Sequence, residues 1–271
     1  MTQPAVSVRE LTKAFGDKRR QHVVLDAISF DVEQGSLTTI VGPSGCGKST
    51  LLNMLAGIEK ITSGTVNIRC DKAGTELAYV FQSPRLLPWL TIEQNLLFVR
   101  PADVDDATYR KRMARYLTMV GLTGVEHKYP YQLSGGMQQR TGLARALCVE
   151  PAVLMMDEPF SHLDEITAEQ MRAEMLQIWR ETGRTILFVT HDIQEAVELG
   201  DRVIMLGYHG QITEDIRIDL PRPRVVTELD FVASYAGVAQ CFRRMQAARL
   251  QELAAGGGEV LKTVATEAVA T

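Results

Sequence analysis

One short segment of the sequence, 42-GPSGCGKST-50, combines glycines, a lysine and hydroxyl side chains in an order suited to binding phosphate. Glycines allow a tight turn in which successive backbone N–H groups point inward, toward an anion. Lys48 adds a mobile positive charge, and Ser49 offers a hydroxyl oxygen of the kind that Mg²⁺ prefers. The segment follows the apolar residues 37–41 and precedes a predicted helix, whose positive end would face the same anion. The sequence therefore predicts a nucleotide site here.

The whole segment is expected to touch the nucleotide, with Thr50 beside the α-phosphate and Lys48 beside the β- and γ-phosphates. A glycine-rich turn that only reverses the chain is the alternative, but it gives no reason for a lysine followed by serine. Cys46 is interpreted as a small inert filler rather than a reactive thiol. The predicted contacts are Gly42, Pro43, Ser44, Gly45, Cys46, Gly47, Lys48, Ser49 and Thr50.

Two carboxylates follow the apolar run 153-VLMM-156, at the point where a buried strand would end. Ligands of α/β sheets bind at the carboxyl ends of the strands. A charged pair there is costly unless a cation or a reacting group offsets it, so Asp157 is predicted to serve a Mg²⁺ site. Glu158 is predicted to orient or deprotonate the water that attacks the γ-phosphate. An ordinary acid that caps a helix is the alternative.

A histidine, His191, follows the apolar run 185-TILFVT-190 in the same way. If this strand neighbours the one that ends at Asp157, the imidazole can sense the γ-phosphate. A histidine with a purely structural role is the alternative that the residues alone leave open.

The elements that must position these groups alternate along the chain. Apolar runs typical of buried strands occupy 37–41, 77–81, 153–156 and 185–189, and helical patterns occupy 48–56, 105–120, 135–148, 166–182 and 193–199. This alternation predicts an α/β fold with a parallel sheet. Residues 84–149 interrupt it as a helical insertion, with Thr91 and Gln94 forming a capping box.

The two ends of the chain follow other patterns. Residues 5–33 predict a β-hairpin with its turn near 16–20. A helix is predicted over 229–254, with a frayed tail from 255 onward. The predicted division is a domain over 5–220 and a short helical extension over 221–271.

Composition excludes several classes of protein. The 29 basic and 33 acidic residues give a net charge of -4, so no general field attracts nucleic acid, and no nucleic-acid partner is expected. The four cysteines, Cys46, Cys70, Cys148 and Cys241, are far apart, which favours reduced thiols and a cytoplasmic location. Neither a signal peptide nor an apolar run of membrane-spanning length is visible, so any membrane role is expected to come through a partner.

The segment 133-LSGGMQQR-140 closely resembles the signature of the ABC transporter ATPase family, which reads LSGGQ. Met137 replaces the glutamine, as in relatives that import small anionic solutes. The resemblance implies a P-loop NTPase core with a parallel sheet, an N-terminal antiparallel β subdomain and an inserted α-helical subdomain. It also implies ATP and Mg²⁺ as ligands, and a homodimer in which each ATP is held between the phosphate loop of one subunit and the signature of the other. The signature residues are Leu133, Ser134, Gly135, Gly136 and Met137.

Further positions match the family over roughly residues 5–220. Phe15 matches the aromatic residue that stacks on adenine, although a tyrosine is more usual and a buried strand aromatic is the alternative. Gln82 matches the glutamine that contacts Mg²⁺ and the attacking water. The run 84-PRLLPWL-90 matches the surface that receives the membrane partner, with core packing as its alternative. Asp164, in 161-SHLD-164, matches the loop through which the two active sites communicate.

The segment 219-DLPRPR-224 resembles the branch that takes up nitrate, sulfonate, taurine and bicarbonate. The implied protein is an importer ATPase at the cytoplasmic face of the inner membrane, working with two membrane permease subunits and, indirectly, a solute-binding protein. An exporter ATPase is the main alternative. A soluble ABC ATPase or a P-loop GTPase or kinase fits less well, since the chain lacks a long coiled-coil insertion and an NKxD-type motif.

Overall fold

The computed structural model describes residues 3–17, 20–69 and 76–268. Its strands, in chain order, are β1 (Val6–Asp17), β2 (Arg20–Val32), β3 (Leu37–Val41), β4 (Ser63–Ile68), β5 (Leu77–Val80), β6 (Val153–Asp157), β7 (Thr185–Thr190), β8 (Arg202–Leu206) and β9 (Ile212–Arg217). Its helices are α1 (Lys48–Leu55), α2 (Ile92–Leu97), α3 (Asp106–Met119), α4 (Gly135–Cys148), α5 (Glu165–Thr182), α6 (Ile193–Leu199) and α7 (Leu229–Ala268), with a 3₁₀ turn at Pro130–Gln132.

The larger sheet has the strand order β5-β6-β7-β3-β8-β9. Its first five strands are parallel, and β9 pairs antiparallel with β8 at the edge. Every residue of β3, β6 and β7 is buried. Apolar side chains on one face of these strands pack against helices, and those on the other face pack against α1 and the smaller sheet. Burial on both faces explains the uninterrupted apolar runs in the sequence. The predicted parallel α/β core is confirmed.

The smaller sheet is antiparallel, with the order β2-β1-β4. It confirms the predicted hairpin, although positions 18 and 19 of the expected turn lie outside the described residues. Between β5 and β6, the described elements are all helical. At the start of α2, Thr91 accepts from the backbone of Gln94, and the side chain of Gln94 accepts in return from the backbone of Thr91, as the capping box predicts. The domain limits themselves stay a prediction.

The structure departs from the predicted elements at the C-terminus. Helix α7 runs to Ala268 rather than ending at 254, so the frayed tail expected from 255 is wrong up to that residue. Each glycine at 256–258 costs a helix about 1 kcal/mol. Glutamate, leucine and other helix formers on both sides carry the helix across, because helix propagation is cooperative. Residues 269–271 lie outside the described part.

Within the described part of the chain, none of the helices has the length and apolar content that crossing a bilayer requires.

Candidate functional site

The phosphate loop joins β3 to α1 and takes its shape from its glycines. Gly47 precedes α1 with φ of 102°, a left-handed conformation that favours glycine. A Cβ atom at Gly42 would lie 2.4 Å from the carbonyl oxygen of Leu206 in β8. No side chain fits there, so the close packing of β8 on the loop requires glycine at this position.

Lys48 lies at the base of this loop, and its side chain is buried. Its Nζ donates to the carbonyl oxygens of Gly42 at 2.9 Å and Pro43 at 3.1 Å. The same Nζ lies 3.6 Å from Oε1 of Glu158. The ammonium group is therefore held between the loop and a carboxylate, from which it can turn to phosphate oxygens.

The predicted catalytic residues meet at one edge of the sheet because their strands are neighbours. Strands β5, β6, β7 and β3 are adjacent and parallel, so their carboxyl ends lie side by side. Gln82 follows β5, Asp157 ends β6, His191 follows β7, and the phosphate loop follows β3.

Asp157 is buried and touches two neutral hydroxyl groups. Its Oδ1 accepts from Oγ of Ser49 at 3.0 Å, and its Oδ2 accepts from the hydroxyl of Tyr79 at 3.0 Å. Burial raises the pKa of Asp157 above its ordinary value, and both hydrogen bonds act against that rise. A divalent cation beside Ser49 would stabilise the carboxylate further, so this pair fits Mg²⁺.

The described residues offer too few ligands to hold a cation by protein groups alone. No cluster of three or more His, Cys, Asp or Glu side chains with metal-binding geometry occurs in the described ranges. One carboxylate and one hydroxyl leave most coordination positions to phosphate oxygens and water, which is how Mg²⁺ binds in nucleotide sites.

Glu158 stands between the lysine and the histidine. Its Oε2 lies 2.9 Å from Nδ1 of His191, on the opposite side from the Lys48 contact. Its φ is 43°, in the left-handed region that non-glycine residues seldom adopt, and its N–H donates to the carbonyl of Val189 at 2.9 Å. Backbone strain of this kind clusters at functional sites. In this conformation, the carboxylate contacts both Lys48 and His191.

Gln82 reaches this group indirectly. Its Nε2 donates to Oγ of Ser161 at 3.2 Å, and that hydroxyl donates to the backbone carbonyl of Glu158 at 2.9 Å. The structure thus ties Gln82 to the end of β6, whereas the contact with Mg²⁺ that the sequence predicts stays a prediction.

The signature occupies the start of α4. Ser134 is the N-cap, and its Oγ accepts from the backbone N–H of Met137 at 3.3 Å. A Cβ atom at Gly135 would meet nothing within 4 Å, so the backbone is open on this side. Leu133 instead is buried in the main core, and Met137 packs against that core. Ser134 and Gly135 thus form the exposed part of the signature.

Asp164 begins α5 beside the signature. Its carboxylate accepts from the backbone N–H of Thr167 at 3.0 Å and from the Thr167 hydroxyl at 2.7 Å. The Thr167 methyl lies 3.1 Å from where a Cβ of Gly136 would be. Among the described residues, none of the hydrogen bonds joins the signature to the phosphate loop, so the chain presents them as separate surfaces.

Phe15 lies in β1 with 42% of its surface exposed. Lys13 Nζ lies 4.5 Å from the centre of its ring. The ring is therefore not a buried strand aromatic, and stacking on adenine stays a prediction.

Two residues of this region were not predicted from the sequence. Tyr79 binds Asp157, but a tyrosine inside an apolar strand gives no sign of its partner. Asn95 is fully buried and holds the run 84–90: its side chain accepts from the N–H of Leu87 and donates to the carbonyls of Leu87 and Leu90. A polar residue on the apolar side of a short helix was the available signal.

Cys46 is buried and burial raises the pKa of its thiol, which agrees with an inert filler.

Comparison with known proteins gives consistent relatives. Residues 25–161 match the family described as ABC transporter. The aliphatic sulfonates import ATP-binding protein of Bacillus cereus is 40% identical over 88% of this chain and 96% of its own length. The bicarbonate transport ATP-binding protein of Synechococcus elongatus is 40% identical over 82% of each chain. A dimeric ATP-binding cassette solved in a post-hydrolysis state with ADP and Pi has a TM-score of 0.69 and 31% identity, covering 80% of this chain and 100% of its own.

Proposed function

The chain belongs to the ABC transporter family, and on that premise we propose that it is the ATP-hydrolysing subunit of an importer for a small anion. One observation carries the hydrolytic role: the Glu158 carboxylate lies between Lys48 and His191, directly after the strand that ends in Asp157. Phosphoryl transfer requires mainly positioning and charge stabilisation, and these four side chains supply both.

Each of these side chains has a separate task. Lys48 binds the β- and γ-phosphates and leaves the Glu158 carboxylate free when it turns to them. Glu158 orients the attacking water and takes up its proton. His191 holds Oε2 of Glu158 and would contact the γ-phosphate of bound ATP. Backbone N–H groups of the loop from 42 to 50 bind the remaining phosphate oxygens.

Ser49 and Asp157 are the proposed magnesium residues, and Gln82 is the third. When bound, Mg²⁺ neutralises charge on the phosphate oxygens. The protein's own part is to favour the ionised form of the buried Asp157, since the hydroxyls of Ser49 and Tyr79 donate to its two oxygens.

Among the described residues, none accepts a hydrogen bond from the backbone N–H groups of Ser134 and Gly135. We propose that these groups bind the γ-phosphate of ATP held by a second copy. The dimer is then head-to-tail with two-fold symmetry, and both sites form together. Asp164, joined to the signature through Thr167, comes to the same interface. Two solved cassettes similar to this chain are described as dimeric, which supports this arrangement.

An exposed aromatic surface is available for a membrane partner. Trp89, Phe98 and Tyr131 are 69%, 69% and 74% exposed. Asn95 holds the backbone beneath Trp89. Trp89 and Phe98 lie close to the two ends of α2, and large exposed apolar side chains on one element favour an interaction site. We assign this surface to the two permease subunits, which would hold the chain at the cytoplasmic face of the membrane, with a solute-binding protein on the far side.

The anion is inferred from relatives. The two named above act on aliphatic sulfonates and bicarbonate. Sulfonate, nitrate, taurine and bicarbonate are therefore the first solutes to test in vesicles that contain the whole transporter. Uptake of none of them would contradict the proposed substrate class.

The decisive test of hydrolysis is the variant Glu158→Gln, which keeps the shape of the side chain but removes the base. We expect ATP affinity to stay the same and turnover to fall by about 100-fold or more, leaving a long-lived ATP-bound dimer on size-exclusion chromatography. Glu169→Gln, an exposed glutamate on α5, is the matched control. Rapid turnover by Glu158→Gln would reject the assigned role.

A further inference from the structure

A pocket outside the nucleotide site lies between α7 and the turn that joins β8 to β9. Its lining residues fall within 207–214 and 241–252 and include Tyr208, His209, Arg244, Met245 and Arg249, and its volume is about 390 Å³. Small-molecule sites typically have volumes of this order. None of the residues that line it has a role in the proposed hydrolysis.

Hydrogen-bond donors exceed acceptors in this pocket. In Arg244, only the nitrogen Nη2 makes hydrogen bonds to protein atoms. It donates to Sγ of Cys241 at 3.0 Å and to Oε1 of Glu214 at 3.5 Å. In Arg249, only the nitrogen Nη1 contacts protein acceptors, and its carboxylate partner is Oε2 of Glu252 at 3.2 Å. In the described part of the chain, the other guanidinium nitrogens of both arginines have no hydrogen bond to protein. Planar N–H groups of this kind are suited to a carboxylate or sulfonate group.

A single carboxylate serves two donors at one end of the pocket. Nε2 of His209 lies 2.8 Å from Oε2 of Glu252, the same oxygen that Arg249 contacts. One carboxylate oxygen therefore engages both of these nitrogens, and the spare donors at that end are the remaining guanidinium nitrogens of Arg249. The pocket is therefore better matched to an anion than to a cation.

Part of the lining is apolar. Met245 packs beside Gly207, where a Cβ atom would lie 3.6 Å from its Sδ, and Ala248 continues the same face of α7. The guanidinium group of Arg249 lies over the ring of Tyr208, with its Cζ atom 5.8 Å from the ring centre. An inorganic anion would leave this apolar surface uncovered, whereas a short hydrocarbon chain would cover it.

We propose that this pocket binds a small organic anion, a carboxylate or sulfonate on a short aliphatic chain, and that the bound anion changes the affinity of the phosphate loop for ATP. Binding does not depend on the proposed function. The effect on ATP does rest on it.

The turn reaches the phosphate loop through backbone contacts. Leu206, just before the turn, lies against Gly42 so closely that no Cβ fits. Gly210 accepts a hydrogen bond from the N–H of Asp26 at 3.0 Å. Leu25, the neighbour of Asp26, packs on Gly47, where a Cβ atom would lie 2.7 Å from its Cδ2. Gly42 at the start of the phosphate loop therefore contacts the β8–β9 segment directly. Gly47 at its end contacts the same segment through residues 25 and 26, and this segment forms one wall of the pocket.

The first experiment is calorimetric titration of the full chain, without nucleotide, with 1-butanesulfonate and with butyrate. We expect saturable binding that Arg244→Gln weakens by about ten-fold or more, and that Glu252→Gln strengthens by freeing two donors. Arg243→Gln is the control, because Arg243 is exposed on the same helix and does not line the pocket. 1-Butanol and inorganic sulfate should bind much more weakly.

Two results would overturn the site: no saturable binding of either anion, or equal affinities in Arg244→Gln and Arg243→Gln. The opposite signs expected for Arg244→Gln and Glu252→Gln separate a binding role from a structural one, since general loss of structure would weaken both.

The second experiment measures the KM for ATP with and without saturating anion. We expect a change of about five-fold in the unmodified chain, and no change in Arg244→Gln. An unchanged KM in the unmodified chain would overturn the regulatory role. A chain without ATPase activity would instead contradict the proposed function, and the titration would still decide on the pocket.

Discussion

The state of Asp157 depends on two competing effects at one carboxyl group. Burial raises its pKa, while hydrogen bonds from Ser49 and Tyr79 lower it, and the net shift is upward. The group must be ionised to serve a cation. Its neighbours therefore help to set the lowest pH at which the site works.

Tyr79→Phe removes one of these hydrogen bonds and leaves the ring in place. The pKa of Asp157 should rise further, so the acid limb of the pH profile of kcat/KM should move to higher pH, and more Mg²⁺ should be needed for half-maximal activity. Steady-state kinetics over pH and Mg²⁺ concentration measure both. Tyr235→Phe, on α7, is the control. An unmoved acid limb would show that Tyr79 does not act on Asp157.

Glu195 is a buried carboxylate near the same edge, at the start of α6. Burial raises its pKa from 4.5 to about 7, against the lowering effects of Thr190 and Arg172. The folded state then binds more protons than the unfolded state between these values. This contribution to stability is complete below pH 4.5 and is lost as the pH rises through about 7.

Glu195→Gln should remove that dependence. Relative to the unmodified chain, the variant should gain stability steadily over this window, up to about 3 kcal/mol at neutral pH. Urea denaturation at several pH values measures the difference. Glu181→Gln, exposed on α5, should show no such trend. A constant difference between Glu195→Gln and the unmodified chain across pH would contradict the raised pKa.

At the level of single residues, the sequence predicts the side chains that belong to a motif. It does not predict the residues that form hydrogen bonds with those side chains. Lys48, Asp157, Glu158 and His191 each follow a strand or loop whose end is visible in the apolar pattern, and the structure brings them together. Tyr79 was not predicted as an Asp157 partner, because its role depends on β5 lying beside β6, and strand order is not encoded in a local pattern.

At the level of elements, the strands buried on both faces are the easiest to predict from the sequence, with one exception. Strands β3, β6 and β7 are buried on both faces and were predicted within one or two residues. β4 and β9 were missed, because they lie at sheet edges with largely exposed or alternating side chains. β8 was missed although it is largely buried. Helices α4 and α6 were predicted with their exact limits, since Ser134 and Asp192 cap them locally.

The segment 219-DLPRPR-224 gains a structural role at this scale. Arg224 donates to the carbonyl oxygens of Val197 and Gly200, each at 2.6 Å, and so closes the C-terminal end of α6. It also donates to the carbonyls of Ile218 and Leu220. This one side chain ties α6, which begins next to His191, to the segment that leads into α7.

Arg224→Lys keeps the charge but cannot reach several carbonyls with one ammonium group. We expect a loss of about 2 kcal/mol in the free energy of unfolding, since buried carbonyls lose their partners. Chemical denaturation measures the loss. Arg217→Lys is the control, because its side chain is 71% exposed and pairs with Glu33 at the surface. Equal losses in the two variants would contradict the proposed role of Arg224.

At the level of the whole molecule, the described structure separates two phosphate-binding surfaces that one reaction is proposed to need. The phosphate loop lies at the edge of the larger sheet, and the signature begins α4 in the helical part, supported by the start of α5. The sequence predicts both surfaces, but a single chain does not show where the ATP that both surfaces bind would lie. The position of that ATP depends on how two chains assemble.

Mixing two inactive variants tests this relation. Lys48→Ala disables the phosphate loop and Ser134→Arg blocks the signature, so each variant alone should form dimers with two defective sites. In a mixed dimer, one site combines both defects, and the other combines the intact loop of one chain with the intact signature of its partner. Half of the dimers in an equal mixture are mixed, so activity should recover to about a quarter of that of the unmodified protein. If a single chain supplied both surfaces to one ATP, the mixture would stay as inactive as its components, and the head-to-tail dimer would be wrong.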